Sequence, residues 1–313
     1  MGEPTQSYLK VPYDLRPAKQ VERRMLVESL QQIATLGFPI RDYQYTGFGS
    51  VYFIDFVLFH KSLGISKMLS VEYDSAIEKR VKFNQPFRCV TIKLGPIADF
   101  IPTLSRKRRH LLWLDYDSVI TESHLQDIWL AAAQLPTGSI LLVTVDVEPP
   151  VKEGTPAKWK DYFSTEAGTY LGTNSARKHF VESNLIDINR HILFNVIKSG
   201  LASRDETFIP LYSFEYADGH RMLTVGGMIG TPLNRETLRA STLKDLKYMK
   251  FEEADRPFAI NIPRLTRKER LFLDKNMPAH AKWALRDFEL PAEMLQSYKD
   301  IYRYLPVYGE LVF

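Results

Sequence analysis

The chain has 313 residues, 45% hydrophobic and 25% charged, the balance of a globular protein long enough to bury a sizeable core rather than of a disordered chain. Forty-one Lys and Arg against 37 Asp and Glu leave a formal net charge of +4, too little for bulk electrostatics to select a partner. No run approaches the ~18 consecutive apolar residues of a membrane span, and Ile140 to Val145 is the longest candidate. The N-terminus lacks a basic stretch followed by an apolar one, and the single Cys89 sits in an apolar run as a buried, inert thiol, so a cytoplasmic location is expected.

Asp14 is placed to cap a helix beginning near Pro17, with Val21, Met25, Leu26, Leu30 and Ile33 as its apolar stripe and Gly37 as its end. Arg16, Lys19 and Arg23, three and four apart, share the opposite face. From Asp42 the pattern becomes short apolar runs separated by helical stretches, which predicts a mainly parallel sheet with crossover helices. The runs are Tyr43 to Thr46, Lys67 to Val71, Cys89 to Leu94, Leu111 to Asp115 and Ile140 to Val145. Helices are expected near Tyr52 to Leu63, Ser75 to Phe83, Ile97 to Leu104 and Ser123 to Ala133.

A long helix is predicted from Asn174 to Ser199, and Leu211 to Tyr216 and Met222 to Ile229 then flank Asp218-Gly219, a strong hairpin signal, so the sheet should end antiparallel. Beyond about residue 235, Thr266 and Glu269 form a capping box and a last helical stretch runs near Pro291 to Tyr304. The expected organisation is an N-terminal helical extension (1–37), a core (38–235) and a C-terminal helical appendage (236–313). Tyr298, Tyr302, Tyr304, Tyr308 and Phe313 make that appendage aromatic, which serves either packing on the core or a homodimer or protein-partner surface.

Ligands of an open parallel sheet bind beyond the strands' carboxyl ends. The first strand ends in Tyr45-Thr46-Gly47-Phe48-Gly49-Ser50, the second in Glu72-Tyr73-Asp74, the third leads into Gly95-Pro96-Ile97, and the fourth ends in Trp113-Leu114-Asp115-Tyr116-Asp117. In this order they resemble the class I S-adenosylmethionine-dependent methyltransferases over residues 38 to 230, an α/β, Rossmann-like sheet closed by an antiparallel hairpin. Tyr45 stands where the family's glycine motif usually has an acid, and Val51 where it has its last glycine. The resemblance implies S-adenosylmethionine as cofactor. Tyr45, Gly47, Gly49 and Ser50 would face its methionine side, Glu72 its ribose, Tyr73 and Ile97 its adenine, with Asp115 nearby.

Methyl transfer is an in-line displacement, so the protein mainly aligns the nucleophile and takes its proton. Asp115 and Asp117 are the leading catalytic candidates; alternation puts them on one side of the strand, where they would orient a hydroxyl or amine, act as base, or together hold a divalent cation. Compared with the Lys-Asp-Lys-Glu tetrad of RNA ribose 2′-O-methyltransferases, Lys19, Asp115 and Glu215 fill three corners. The fifth strand brings Asp146 where the second lysine belongs, and Lys152 beyond it is the substitute.

The expected reaction is therefore O-directed, with a small hydroxylated molecule or RNA as acceptor and no membrane partner. An RNA would be held by Arg16, Lys19, Arg23 and Arg24 or by Lys152, Lys158 and Lys160, beside Trp159, Tyr162 and Phe163, since the run Arg106 to His110 lies at the sheet's amino edge. A phosphate loop, a His-Glu-x-x-His zinc motif and a Gly-x-Ser-x-Gly elbow are all missing. The competing expectation is a non-catalytic protein of the same fold that binds a nucleotide-like ligand or a protein partner.

Overall fold

A computed structural model of the chain describes residues 16–172, 176–280 and 283–306. Helix α1 (Pro17–Ala34) leads into β1 (Gln44–Gly47), α2 (Ile54–Leu63), β2 (Lys67–Glu72), α3 (Glu78–Phe83), β3 (Val90–Leu94), α4 (Ile97–Phe100), β4 (His110–Val119), α5 (Glu122–Gln134) and β5 (Ile140–Asp146). There follow α6 (Pro156–Ala167), α7 (Leu185–Leu201), the hairpin β6 (Thr207–Ala217) and β7 (Arg221–Gly230), α8 (Pro232–Ala240), β8 (Phe258–Ile260), α9 (Arg267–Lys275) and α10 (Ala292–Ile301).

Among the described residues the strands form one sheet in the order β3-β2-β1-β4-β5-β7-β6-β8. The first five pair in parallel, and β7 lies antiparallel between β5 and β6. Every residue of β5 is buried, which is why its sequence is a nearly unbroken apolar run. The reversal at β7 brings the tip of the β6–β7 hairpin to the edge where the parallel strands end. The doubly wound sheet with its terminal hairpin is the fold expected for the class I methyltransferases.

Alternation along the strands divides the core in two. Tyr45, Trp113, Leu142 and Tyr212 face a layer containing α1, α2, α3 and the C-terminal helices. Leu112, Leu114, Val143 and Val145 face α4, α5, α6 and α7. The apolar stripe of α1 is fully buried at Val21, Met25, Leu26, Leu30 and Ile33.

Three elements depart from the sequence reading. Residues 156–167, where no helix is predicted, are helical because Thr155 caps Lys158 and Pro156 occupies the first turn. Helix α7 begins at Leu185, eleven residues later than expected, after two short 3-10 turns at Arg177–His179 and Glu182–Asn184; the expected start at Asn174 lies outside the described residues. The C-terminal segment carries helices, as expected, and also adds β8 to the sheet in parallel with β6, pairing Phe214 with Phe258 and Tyr216 with Ile260. Tyr298 and Tyr304 are buried on the core, while Tyr308 and Phe313 are beyond the described residues.

Candidate functional site

Four polar side chains and one indole, from α1 and β4 to β6, converge on one ammonium. Lys19 Nζ donates to Asp115 Oδ1 at 2.8 Å and to Tyr216 OH at 3.0 Å, and lies 3.0 Å from Glu22 Oε2. Thr144 Oγ1 is 3.5 Å away, and the indole of Trp113 lies beneath, its centroid 4.3 Å from the nitrogen. Asp115, Thr144 and Thr224 are register neighbours across β4, β5 and β7, so they form a polar row on one face. Trp113 Nε1 and Thr224 both bond Thr144 Oγ1, at 2.9 and 2.8 Å. One turn further along α1, Arg23 pairs with Asp55 of α2, also out of solvent.

Burial by itself would lower the Lys19 pKa, but the carboxylates of Asp115 and Glu22 outweigh it and hold the group as an ammonium. Burial raises the Glu22 carboxyl despite the neighbouring ammonium, and it raises the Tyr216 phenol, which stays protonated. Side-chain exposure separates the members: Lys19 is 2% exposed and Glu22 0%, whereas Asp115 keeps 22%. Asp115 is therefore the member through which this layer reaches solvent at the carboxyl end of β4. An ammonium that stays charged cannot act as base; it fixes the Asp115 carboxylate and leaves an oxygen to accept a hydrogen bond from outside.

The backbone of α1 is set by the far end of the chain. Asp218, at the tip of the hairpin, accepts the amides of Ala18 and Lys19 at 3.1 and 2.9 Å, satisfying two unpaired helix donors and placing negative charge at the dipole's positive end. Arg16 occupies the cap position without a side-chain cap bond, and Asp14, expected to cap, lies outside the described residues.

The neighbouring half of the edge surrounds the β1 turn. Ser50 and Phe53 both adopt left-handed backbone conformations, at φ 50° and 49°, a strained turn between β1 and α2. A Cβ on Gly47 would lie 2.6 Å from the Tyr45 hydroxyl, and one on Gly49 would lie 2.4 Å from Ser70 Oγ. The turn's own packing thus requires both glycines. Glu72 ends β2 half-buried, with Oε1 accepting the Asp74 amide at 3.3 Å; burial raises its pKa, the Asp74 and Tyr73 amides lower it, and the charges of Asp74 and Asp117 raise it. Tyr73 is 79% exposed beside it, and Ile97 is buried at the start of α4.

A family model matches residues 11–313, nearly the whole chain. The chain belongs to the family described as "Putative O-methyltransferase". Among solved structures it is similar to cofactor-bound Rv0187 from MTB, at 12% identity and TM-score 0.37 over 68% of this chain and 80% of that one. The O-methyltransferase TomG from Streptomyces achromogenes, in complex with SAM, gives 14% identity and TM-score 0.37 over 64% and 79%. Trm1 from Pyrococcus horikoshii, with S-adenosyl-L-methionine, gives 15% and 0.44 over 70% and 57%. No curated protein matches the chain.

Within this O-methyltransferase-family chain the expected site residues fall into three groups. Lys19 and Asp115 meet. Gly47, Gly49, Ser50, Glu72, Tyr73 and Ile97 gather at the ends of β1 to β3, with exposed Asp117 close enough to act on Glu72. Tyr45 and Glu215 do not join their expected partners. Tyr45 is fully buried, its ring edge-on to Phe56 and Phe59, so it is a core residue rather than a cofactor contact. Glu215 faces the opposite side of the sheet, where Arg221, Asp187 and Arg190 surround it. Alternation gives the inward place to its neighbour Tyr216.

Other expectations are corrected by burial. Lys19 and Arg23 are enclosed and paired, so they do not present their charges to solvent, and Arg24 donates to the carbonyls of Tyr304 and Leu305. Phe163 is buried, while Trp159 and Tyr162 spend their donors on the carbonyls of Val151 and Ile120. Cys89 is half-buried, 3.7 Å from His60 Nδ1. Among the described residues no group of three His, Cys, Asp or Glu is placed to hold a metal ion, and no helix is long and apolar enough to cross a membrane. Sequence reasoning missed Glu22, Tyr216, Thr144 and Asp218. Only Glu22, three residues after Lys19, left a local signal.

Proposed function

We propose that the protein is an S-adenosylmethionine-dependent O-methyltransferase whose Asp115 positions the acceptor hydroxyl. The observation that carries this reading is the Lys19–Asp115 pair at the carboxyl end of β4, 2.8 Å long and open to solvent on the Asp115 side only. It adjoins the β1 turn in a sheet of the methyltransferase order.

The residues at the ends of β1 to β3 fit the cofactor chemically. Glu72 is a carboxyl that burial makes costly to ionise, and two ribose hydroxyls would supply the hydrogen bonds that offset this cost. Exposed Tyr73 and apolar Ile97 offer surfaces for the adenine, and the Gly47 to Ser50 turn faces the methionine end. The cofactor supplies an electrophilic methyl group on a sulfonium. Asp115 accepts a hydrogen bond from the acceptor hydroxyl and fixes its direction; Lys19, with Glu22 and Tyr216 behind it, keeps that carboxylate in place. A small hydroxylated molecule is the favoured acceptor class, because two of the α1 cations expected to hold RNA, Lys19 and Arg23, are committed to internal pairs.

The test is Asp115→Asn, with transfer of labelled methyl groups to a panel of hydroxylated aromatics and RNA and with calorimetric titration of S-adenosylmethionine. The expected result is a loss of about 100-fold in transfer, the scale of a mispositioned reactant, at unchanged cofactor affinity. Failure of the wild-type protein to bind S-adenosylmethionine overturns the assignment.

A further inference from the structure

Because β1 to β4 are parallel, the segments that enter them all lie at one edge of the sheet, opposite the edge of Asp115. These segments (35–43, 61–67, 84–89 and 104–109) hold eight cations, Arg41, Lys61, Lys67, Arg88 and the run Arg106 to Arg109, against one carboxylate, Asp42. The whole chain has an excess of only four, so the remainder is slightly acidic and this edge is a separate basic strip. Register sets its layout. Lys67 and His110 both pair with Gln44, and Val90 pairs with Met68, so the strip crosses four strands over about 14 Å, at ~4.8 Å per strand.

Lys19 and Arg23 face carboxylates, but three arginines of this strip are held by neutral oxygens. Arg106 Nε donates to Gln134 Oε1 at 3.1 Å, Arg108 Nη1 to the Asp42 carbonyl at 2.9 Å and Arg109 Nη1 to the Gly37 carbonyl at 3.3 Å. Such bonds fix a guanidinium without neutralising it. At the β4 end the strip runs into a cavity of about 500 Å³, lined by Arg106, Gln134, Ser199, Ser203 and the indole of Trp129, which is 39% exposed. Glu206, the acid in this lining, is bound by Arg204 at 3.2 Å and by Thr137, so it adds no unpaired negative charge. At the β3 end, Phe83 directly precedes the segment of Arg88 and is 88% exposed.

We infer that this edge is a binding track for a single-stranded nucleic acid, with phosphates along the strip from Arg88 to Arg106 and one base against Trp129 in the cavity. A row of cations that follows a backbone, with aromatic faces at its ends, is the arrangement by which proteins hold single strands, and the cavity has the size of a small-ligand site, room for a base. A duplex would keep its bases stacked and leave the cavity unused. Asp115 lies five residues beyond His110 on β4, about 17 Å from this edge. The segment held here is therefore not the one presented to Asp115, and the inference stands apart from the methyltransferase reading.

Fluorescence anisotropy of a labelled oligouridylate with the full chain, titrated at several salt concentrations, tests the track. Affinity should fall as salt rises, and the double variant Arg106→Ala, Lys107→Ala should lower the slope of log K against log salt by about 1.4, the value for two phosphate contacts on a single strand. Trp129→Leu should weaken binding about 10-fold or more, the scale of one stacked base, while Trp129→Phe keeps most of the affinity; equal melting temperatures of the two variants separate stacking from a loss of folding. Absence of binding at low salt, unchanged affinity in Trp129→Leu, or equal affinity for a blunt duplex of the same length overturns the proposal. So does a loss confined to Lys158→Ala, Lys160→Ala, which would move the strand away from this edge, or binding of phosphatidylserine vesicles without binding of the oligonucleotide.

Discussion

Against one face of the sheet, α5 and α7 bring apolar side chains such as Ile128, Ala131, Ile192 and Leu193 to Leu112, Leu114, Val143 and Val145. Against the other, α1 carries Lys19, Glu22 and Arg23 inward to Asp115, Asp55, Thr144 and Tyr216, beside an equally buried apolar stripe. Both layers bury helices, but by different means. Any apolar side chain of the right volume can fill the first, whereas Lys19 and Arg23 in the second depend on Asp115 and Asp55 from other parts of the chain. That dependence makes the polar layer rigid enough to hold a site, and it makes the layer sensitive to single substitutions.

Removing the shared cation should produce the largest difference between the faces. Lys19→Met leaves the Asp115 and Glu22 carboxyls without their counter-charge and should lower unfolding free energy by about 3–5 kcal/mol in urea titration. Adding Glu22→Gln and Asp115→Asn to it should recover most of this loss. Leu114→Ala on the dry face should cost about 2–5 kcal/mol through its cavity, and no second polar change there would repair it. A cost under 1 kcal/mol for Lys19→Met would mean that the layer contributes no more than a surface pair.

A smaller effect is expected where the two ends of the chain meet. Asp218→Ala removes the acceptor for the Ala18 and Lys19 amides and should cost about 0.5–2 kcal/mol, as loss of a helix cap does. It should also reduce methyl transfer by loosening Lys19. Unaltered stability in the same denaturation experiment would show that α1 is held by its apolar stripe alone.

Glu72→Gln should have the smallest effect on stability, and in the opposite direction. Burial raises the Glu72 pKa in the folded chain, so its ionisation opposes folding; stability is fullest below the unfolded carboxyl range and declines as pH rises through the higher folded value. The amide removes that decline, and the melting temperature at neutral pH should hold or rise by a few degrees. S-adenosylmethionine affinity should fall about 10-fold, the scale of a lost charged hydrogen bond. In the wild type, affinity should increase as pH rises through the Glu72 ionisation. A calorimetric pH series showing no such trend would remove Glu72 from the ribose site.

Much of the sheet could be read in advance because its strands and helices signal locally. Runs such as Ile140 to Val145 are apolar since both faces are covered, and Asp218-Gly219 marks a turn wherever it occurs. Glu72 and Asp115 were likewise visible as acids at strand ends. Tyr45 and Glu215 were misplaced for one common reason. Each sits in the correct strand, but which face a side chain takes depends on what packs there, and alternation turned Tyr45 into the core and Glu215 away from Lys19.

The sequence by itself determined the order of elements, the reversal of the last strands and the polar strand ends, because each follows from periodicity, turn chemistry and capping within a few residues. Tertiary structure alone decided that Lys19 is buried, that Glu22 and not Glu215 joins Asp115 beside it, and that Asp218 starts its helix from 199 residues away. An exposed lysine and a buried, paired one look the same in one dimension. Only the packing of α1 against the sheet brings Asp115 of β4 beside Glu22 and offsets the cost of burying the ammonium.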